Sequence, residues 1–143
     1  VFLLPWIATI DSFQHWIYAN PNHSREERAE IWQSIRDRFG SEMDWGGYSD
    51  FREVSWQQQS HLFGVPFYYI EYGIAQLGSI QLWKTQMSDP QKALDDYAKA
   101  MSLGNTKTLP DLFSAADLKL EFSESHFQTL MSSVEGALTD ANS

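Results

Sequence analysis

Residues 61–83 read HLFGVPFYYIEYGIAQLGSIQLW. After Pro66 the residues predict one long helix, to about residue 87, with apolar or aromatic side chains on every side. Gly64-Val65-Pro66 predicts a turn that places Pro66 at the first helical position, where a missing N–H costs nothing. By helical spacing Tyr68, Tyr72, Ala75 and Ser79 share one face, and Ile70, Ile74, Leu77 and Gln81 a second. Tyr69, Gly73, Ile80 and Trp83 lie near a third. A helix apolar all round is expected at the centre of its domain. Gly73 and Gly78 are expected to let other helices approach closely, at roughly 1 kcal/mol each in helix propensity relative to Ala.

Outward from this helix, nearly every segment also predicts helix. Trp6, Ile10, Phe13 and Ile17 recur at three- and four-residue spacing, and Asn20-Pro21 ends that stripe. Ser24 and Glu27 form a capping-box pattern and Gly40 a stop, around the narrow apolar side Ile31, Trp32, Ile35 and Phe39. Gly46-Gly47 marks a loop, after which a helix of about ten residues is expected within residues 51–63. A capped helix follows, with Ser88 or Asp89 before Pro90 and Gly104 at its end. A short helix within 109–118 and a last one within 123–140 complete an all-α fold of about six or seven helices. β-branched alternation over four or more residues is absent.

Composition bounds the function. The 143 residues fit one ordinary domain, and the expectation is a single all-helical segment over 1–143. At that size roughly 70% of the unfolded chain's surface is buried, so a real core needs no staples. Ten Lys+Arg against nineteen Asp+Glu give a net charge of -9, which argues against nucleic acid and against anionic lipid. The chain has no cysteine, which excludes disulfides and thiolate metal sites and favours a reducing, cytoplasmic location. The N-terminal VFLLPWIATI is too short for a membrane span and lacks a basic leader. It reads as a chain that begins inside a hydrophobic element.

Two readings of the tyrosines stand side by side. They fill core space, each hydroxyl finding one partner, or Tyr68 and Tyr72 aim their hydroxyls into a polar cleft. The second accounts for tyrosine where leucine would pack as well without needing a partner for a buried O–H. Glu71, inside the same apolar run, must reach an edge, a cation or a hydroxyl, because an unpaired buried carboxylate costs several kcal/mol. Of the four histidines, His23 and His126 are expected to be solvated, and His15 to pair locally with Asp11. His61 lies five residues before Pro66, so the turn can fold it back over the start of the tyrosine helix. No H-E-x-x-H, G-x-S-x-G, P-loop or G-x-G-x-x-G occurs.

Three stretches together carry a resemblance: LPWIATIDSFQHWIYANPNHSREERAEIW (4–32), WQQQSHLFGVPFYYIEYGIAQLGSIQLW (56–83) and ALDDYAKAMSLGNTKTLPDLFSAADL (93–118). In this order they resemble the C-terminal part of the oligoendopeptidase F-like zinc peptidases, which belong with the thimet oligopeptidase-like metallopeptidases. SHLFGVPFYYIEYGIAQLG is the most specific piece, and the resemblance covers roughly residues 3 to 138.

The resemblance implies an all-helical domain around a channel for short peptides, with zinc held by H-E-x-x-H and a downstream glutamate. It also implies a histidine and tyrosines that face the metal, bind substrate and donate hydrogen bonds to the oxyanion of peptide hydrolysis. At matching positions these are His61, Tyr68 and Tyr72, with Tyr69 a less secure match. The metal motif itself is missing from this chain, which therefore resembles the C-terminal half of a catalytic domain. Alone it is expected to bind no catalytic zinc and to cleave nothing, with its apolar faces covered by the missing half or by self-association. The alternative is a non-catalytic helical remnant that binds a peptide or a partner chain.

Overall fold

A computed structural model describes residues 3–40 and 43–141. Among them every regular element is helical, as the sequence predicts. The α-helices are α1 Leu3–Ala19, α2 Arg25–Phe39, α3 Ser49–Val54, α4 His61–Gly64, α5 Ile70–Ser88, α6 Pro90–Ser102, α7 Leu109–Ala115 and α8 Glu124–Ala141. A single 3₁₀ turn spans Ser55–Gln58. Eight α-helices among the described residues exceed the expected six or seven because one predicted helix is broken. The chain forms two compact units, Val1–Gly73 and Ile74–Ser143.

The first unit is built on aromatic rings. Ile10 and Phe13 of α1, Trp32 of α2 and Leu62 of α4 form its core, with Trp6, Ile17, Ile31, Ile35, Trp56 and Tyr69 packed against it. The Trp32 ring meets Phe13 at 4.9 Å and Trp6 at 5.9 Å between centroids, both edge-on, the arrangement that aromatic quadrupoles favour. The Arg36 guanidinium lies over Trp6, Trp32 and Trp45 at 5.2, 5.7 and 5.6 Å. Burial holds that guanidinium below its ordinary pKa, and nearby Arg52 adds to the effect. The expected capping box of α2 is formed, with Ser24 and Glu27 each satisfying the other's backbone N–H. Gly40 ends α2 as expected, but through space rather than a left-handed turn. Its φ is -77°, and a Cβ there would stand 2.3 Å from the Arg36 carbonyl oxygen.

The helix expected within 51–63 is three pieces, α3, the 3₁₀ turn and α4. The Arg52 carbonyl explains the first break. In a continuous helix it would accept from the Trp56 N–H. Here it accepts instead from the Ser55 N–H, from the Ser55 hydroxyl at 2.7 Å and from the Trp32 indole at 2.9 Å. A serine hydroxyl competing for a local carbonyl diverts the backbone, and the indole from α2 locks the diversion in place. Gln59, at φ -83° and ψ 89°, then leaves helical space before α4 restarts.

The second unit packs α5 beyond Gly73 with α6, α7 and α8. Leu77, Ile80, Ala93, Ala100, Ala116 and Leu130 are buried in it. Gly78 gives the expected close approach, since a Cβ there would lie 3.2 Å from Phe113 Cζ. In the first unit Gly73 does the same against Ile7 Cγ2 at 3.3 Å. Asp89, rather than Ser88, caps α6 by accepting the Lys92 N–H, and Gly104 follows that helix at φ 54°. Gln81 clasps the Lys119 backbone from both sides, donating to its carbonyl and accepting its N–H, each at 2.9 Å.

Trp32 is fully buried and both packs and hydrogen-bonds. Trp32→Ala should cost about 3–5 kcal/mol of stability, and Trp32→Phe, which keeps a ring but drops the indole N–H, about 1 kcal/mol. Urea unfolding followed by circular dichroism measures both. Equal losses would place the effect in the indole N–H alone.

Candidate functional site

The expected start of the tyrosine helix is displaced by the residue after Pro66. Phe67 has φ 60°, a left-handed conformation that costs a non-glycine residue roughly 1–2 kcal/mol. Pro66 therefore sits in a turn, and α5 begins at Ile70. Two sets of contacts from α1 offset the cost. The buried Gln14 side chain accepts the Phe67 N–H at 2.9 Å, and the Phe67 ring rests against His15 and Tyr18, each at 5.0 Å. The Val65 and Tyr69 carbonyls close the turn locally, accepting from the Tyr68 and Tyr72 N–H groups respectively.

This turn folds α4 back so that His61 meets the three tyrosines. Its ring is parallel to Tyr68 at 6.4 Å, tilted against Tyr69 at 4.8 Å and edge-on to Tyr72 at 5.7 Å. Tyr72 lies edge-on to Tyr68 at 5.6 Å and 5.3 Å from Tyr69. The Tyr72 hydroxyl stands 3.4 Å from His61 Nε2, and Gln59 Nε2 lies 2.6 Å from His61 Nδ1. The structure thus gathers His61, Tyr68, Tyr69 and Tyr72 within the first unit.

The four do not share one environment. Tyr68 and Tyr72 are exposed, at 42% and 40%, and so present their rings at the surface. Tyr69 is half-buried against the core, where desolvation pushes its phenol above the ordinary value of 10.0. A hydrogen bond from Trp6 opposes that rise and neighbouring Tyr72 adds to it. The helix apolar on every side does have a water-facing side, because Glu71, Tyr72, Ala75 and Ser79 are exposed while Gly73, Leu77, Gly78 and Ile80 are buried. Glu71 answers its burial problem by facing solvent in the first turn of α5, where the helix dipole favours a carboxylate.

The other histidines stand apart from this cluster. His15 lies 3.5 Å from Asp11, the expected local pair, and His23 bonds the Asn20 carbonyl within its own turn. His126 differs from expectation. It is half-buried, with Nε2 enclosed and unpartnered, because its place on α8 turns it inward rather than to water. Among the described residues no group of three His, Cys, Asp or Glu side chains is placed to hold a metal ion. Nor is any helix among them long and apolar enough to cross a membrane. Gln59, Gln14 and Trp6 escaped the sequence reading as site residues. Gln59 is one of three consecutive glutamines, and its indole partner lies 53 residues away.

The profile of Peptidase family M3 matches residues 2–132. Among solved structures, Pz peptidase A with an inhibitor is 33% identical, with a TM-score of 0.89 over 96% of this chain and 25% of its own. A structure described as an oligoendopeptidase F is 30% identical, with a TM-score of 0.82 over 96% of this chain and 24% of its own. A third, described as an oligoendopeptidase F from Bacillus anthracis str. Ames, is 28% identical, with a TM-score of 0.74 over 97% and 22%. Among curated proteins nothing matches. The chain spans about a quarter of the length of the first of these structures.

Burial of Tyr69 predicts an alkaline signature. Its proton is held more tightly in the folded chain, so the stability it contributes is complete below pH 10.0 and is lost as pH rises through the folded value. Ultraviolet titration should show a tyrosine that ionises late, and Tyr69→Phe should remove that late phase and flatten the alkaline fall in stability. A titration unchanged by that substitution would contradict the burial.

Proposed function

The chain belongs to peptidase family M3, and from that premise we propose that it supplies the substrate-facing wall of a zinc-dependent oligoendopeptidase acting on short peptides. The observation that carries the proposal is the convergence of His61 with Tyr68 and Tyr72 at an exposed surface. Hydrolysis of a peptide turns its carbonyl oxygen into an oxyanion, and donors fixed in advance where that charge appears lower the barrier. Tyr72 is the donor to the oxyanion, and His61 holds its hydroxyl from the other side at 3.4 Å. Tyr68 binds the substrate backbone alongside. Tyr69, packed on the core, backs the rings of His61 and Tyr72.

The family's zinc finds no ligand set among the described residues, and His61 has Nδ1 beside Gln59 and Nε2 beside Tyr72. In this reading the metal belongs to a part of the enzyme that this sequence does not contain, and cleavage requires that part. Phe63, Val65 and Phe67, exposed next to the tyrosines, are the apolar surface it covers.

In a zinc-loaded enzyme containing this segment, Tyr72→Phe is expected to lower kcat by about 10²–10³ with zinc content unchanged. Steady-state cleavage of a short fluorogenic peptide, with metal analysis of the same sample, measures this. An intact kcat in the variant would remove the oxyanion role. The chain on its own is expected to self-associate through its exposed apolar residues, and light scattering showing a clean monomer at high concentration would count against that cover.

A further inference from the structure

We propose that Gln59 is a positioning residue that fixes His61 as the tautomer protonated on Nε2, and that Trp6 sets the direction of Gln59. Three hydrogen bonds run in series from Trp6 to Tyr72. The Trp6 indole N–H, which can only donate and is shared with the Tyr69 phenol, lies 3.2 Å from the side-chain amide of Gln59. The amide atom facing it is therefore the oxygen, Oε1. The amide nitrogen is then turned to His61, 2.6 Å from Nδ1. An amide nitrogen donates and does not accept, so Nδ1 is the bare, accepting nitrogen of the neutral ring. The ring proton resides on Nε2, which faces the Tyr72 hydroxyl at 3.4 Å.

The backbone holds Gln59 where this requires. Its N–H donates to the Trp56 carbonyl at 3.0 Å and its carbonyl accepts the Leu62 N–H at 3.1 Å, so the residue is tied to the turn before it and to the start of α4. Two residues separate Gln59 from His61 in sequence, and α1 supplies the indole from 53 residues away. The direction of the series decides what Tyr72 can do. With the proton on Nε2, the Tyr72 oxygen accepts from His61 and its own O–H remains free to donate outward. With the proton on Nδ1, Nε2 becomes an acceptor and draws the Tyr72 O–H inward. That consequence rests on the oxyanion role proposed for Tyr72, whereas the tautomer itself does not.

Long-range ¹H–¹⁵N NMR correlation of the imidazole nitrogens, followed across a pH series, separates the neutral tautomers from the protonated ring and so reads the tautomer directly. In the unsubstituted protein His61 should show a single species protonated on Nε2. Gln59→Glu replaces the amide with a group that only accepts, and should move the proton to Nδ1. Gln59→Leu and Trp6→Phe should each give a mixture of both tautomers. If Gln59→Leu fails to fold, the Glu and Phe variants carry the test. An unsubstituted His61 protonated on Nδ1, or a Gln59→Glu variant still protonated on Nε2, would overturn the proposal. In the zinc-loaded enzyme Gln59→Glu should also reduce kcat, approaching the ~10²-fold of losing an oxyanion donor outright, with KM little changed. A tautomer that switches while kcat stays constant would leave this inference standing and sink the oxyanion role instead.

Discussion

Phe67 cannot continue a helix at φ 60°, and the arrangement around His61 depends on that constraint. Were residues 66 to 69 helical, Tyr68 would lie on the same helix as Tyr72 and α4 would point elsewhere. The left-handed residue is held by a single buried acceptor, Gln14 Oε1, and by two rings of α1. Backbone strain kept in place by surrounding contacts is often found where a chain must present side chains in an orientation that regular structure does not offer. Here the orientation is that of an imidazole packed among three phenols.

Much of this was legible in the residues. The periodicity of Trp6, Ile10, Phe13 and Ile17, the Ser24–Glu27 box and the stop at Gly104 are local signals, and local chemistry decided them. The grouping of His61 with the tyrosines came from the five-residue reach to Pro66 together with a family resemblance. What stayed hidden depended on distant partners. The break after Val54 rests on the Trp32 indole reaching Arg52 across 20 residues, and the start of α5 rests on Gln14 reaching Phe67 across 53. No pattern within residues 51–69 records either partner. The exposed side of α5 was hidden for a different reason: alanine, serine and tyrosine tolerate water, so hydrophobicity alone could not mark the Tyr72 face as open.

The two compact units differ in how they hold their chains. The first relies on rings, with Trp32 edge-on to its neighbours and Arg36 spread over three indoles. The second relies on small residues and directed polar contacts, Gly78 under Phe113 and Gln81 on the Lys119 backbone. Lys92 adds a surface link to Asp96 and Asp117, which holds its ammonium protonated beyond the ordinary lysine range. Its exposed position makes that link sensitive to salt rather than central to folding.

Trp6 belongs to two systems at once. Its ring packs on Trp32 and under Arg36, while its N–H directs the amide beside His61. A change that improved packing at this position by removing the nitrogen would disturb the site, and a change in the site's polarity would be felt in the core. Position 6 thus has two requirements to meet at once. The packing of the hydrophobic interior is tied at this position to the hydrogen-bond polarity of the surface, so a side chain that serves both has to be bulky and a donor.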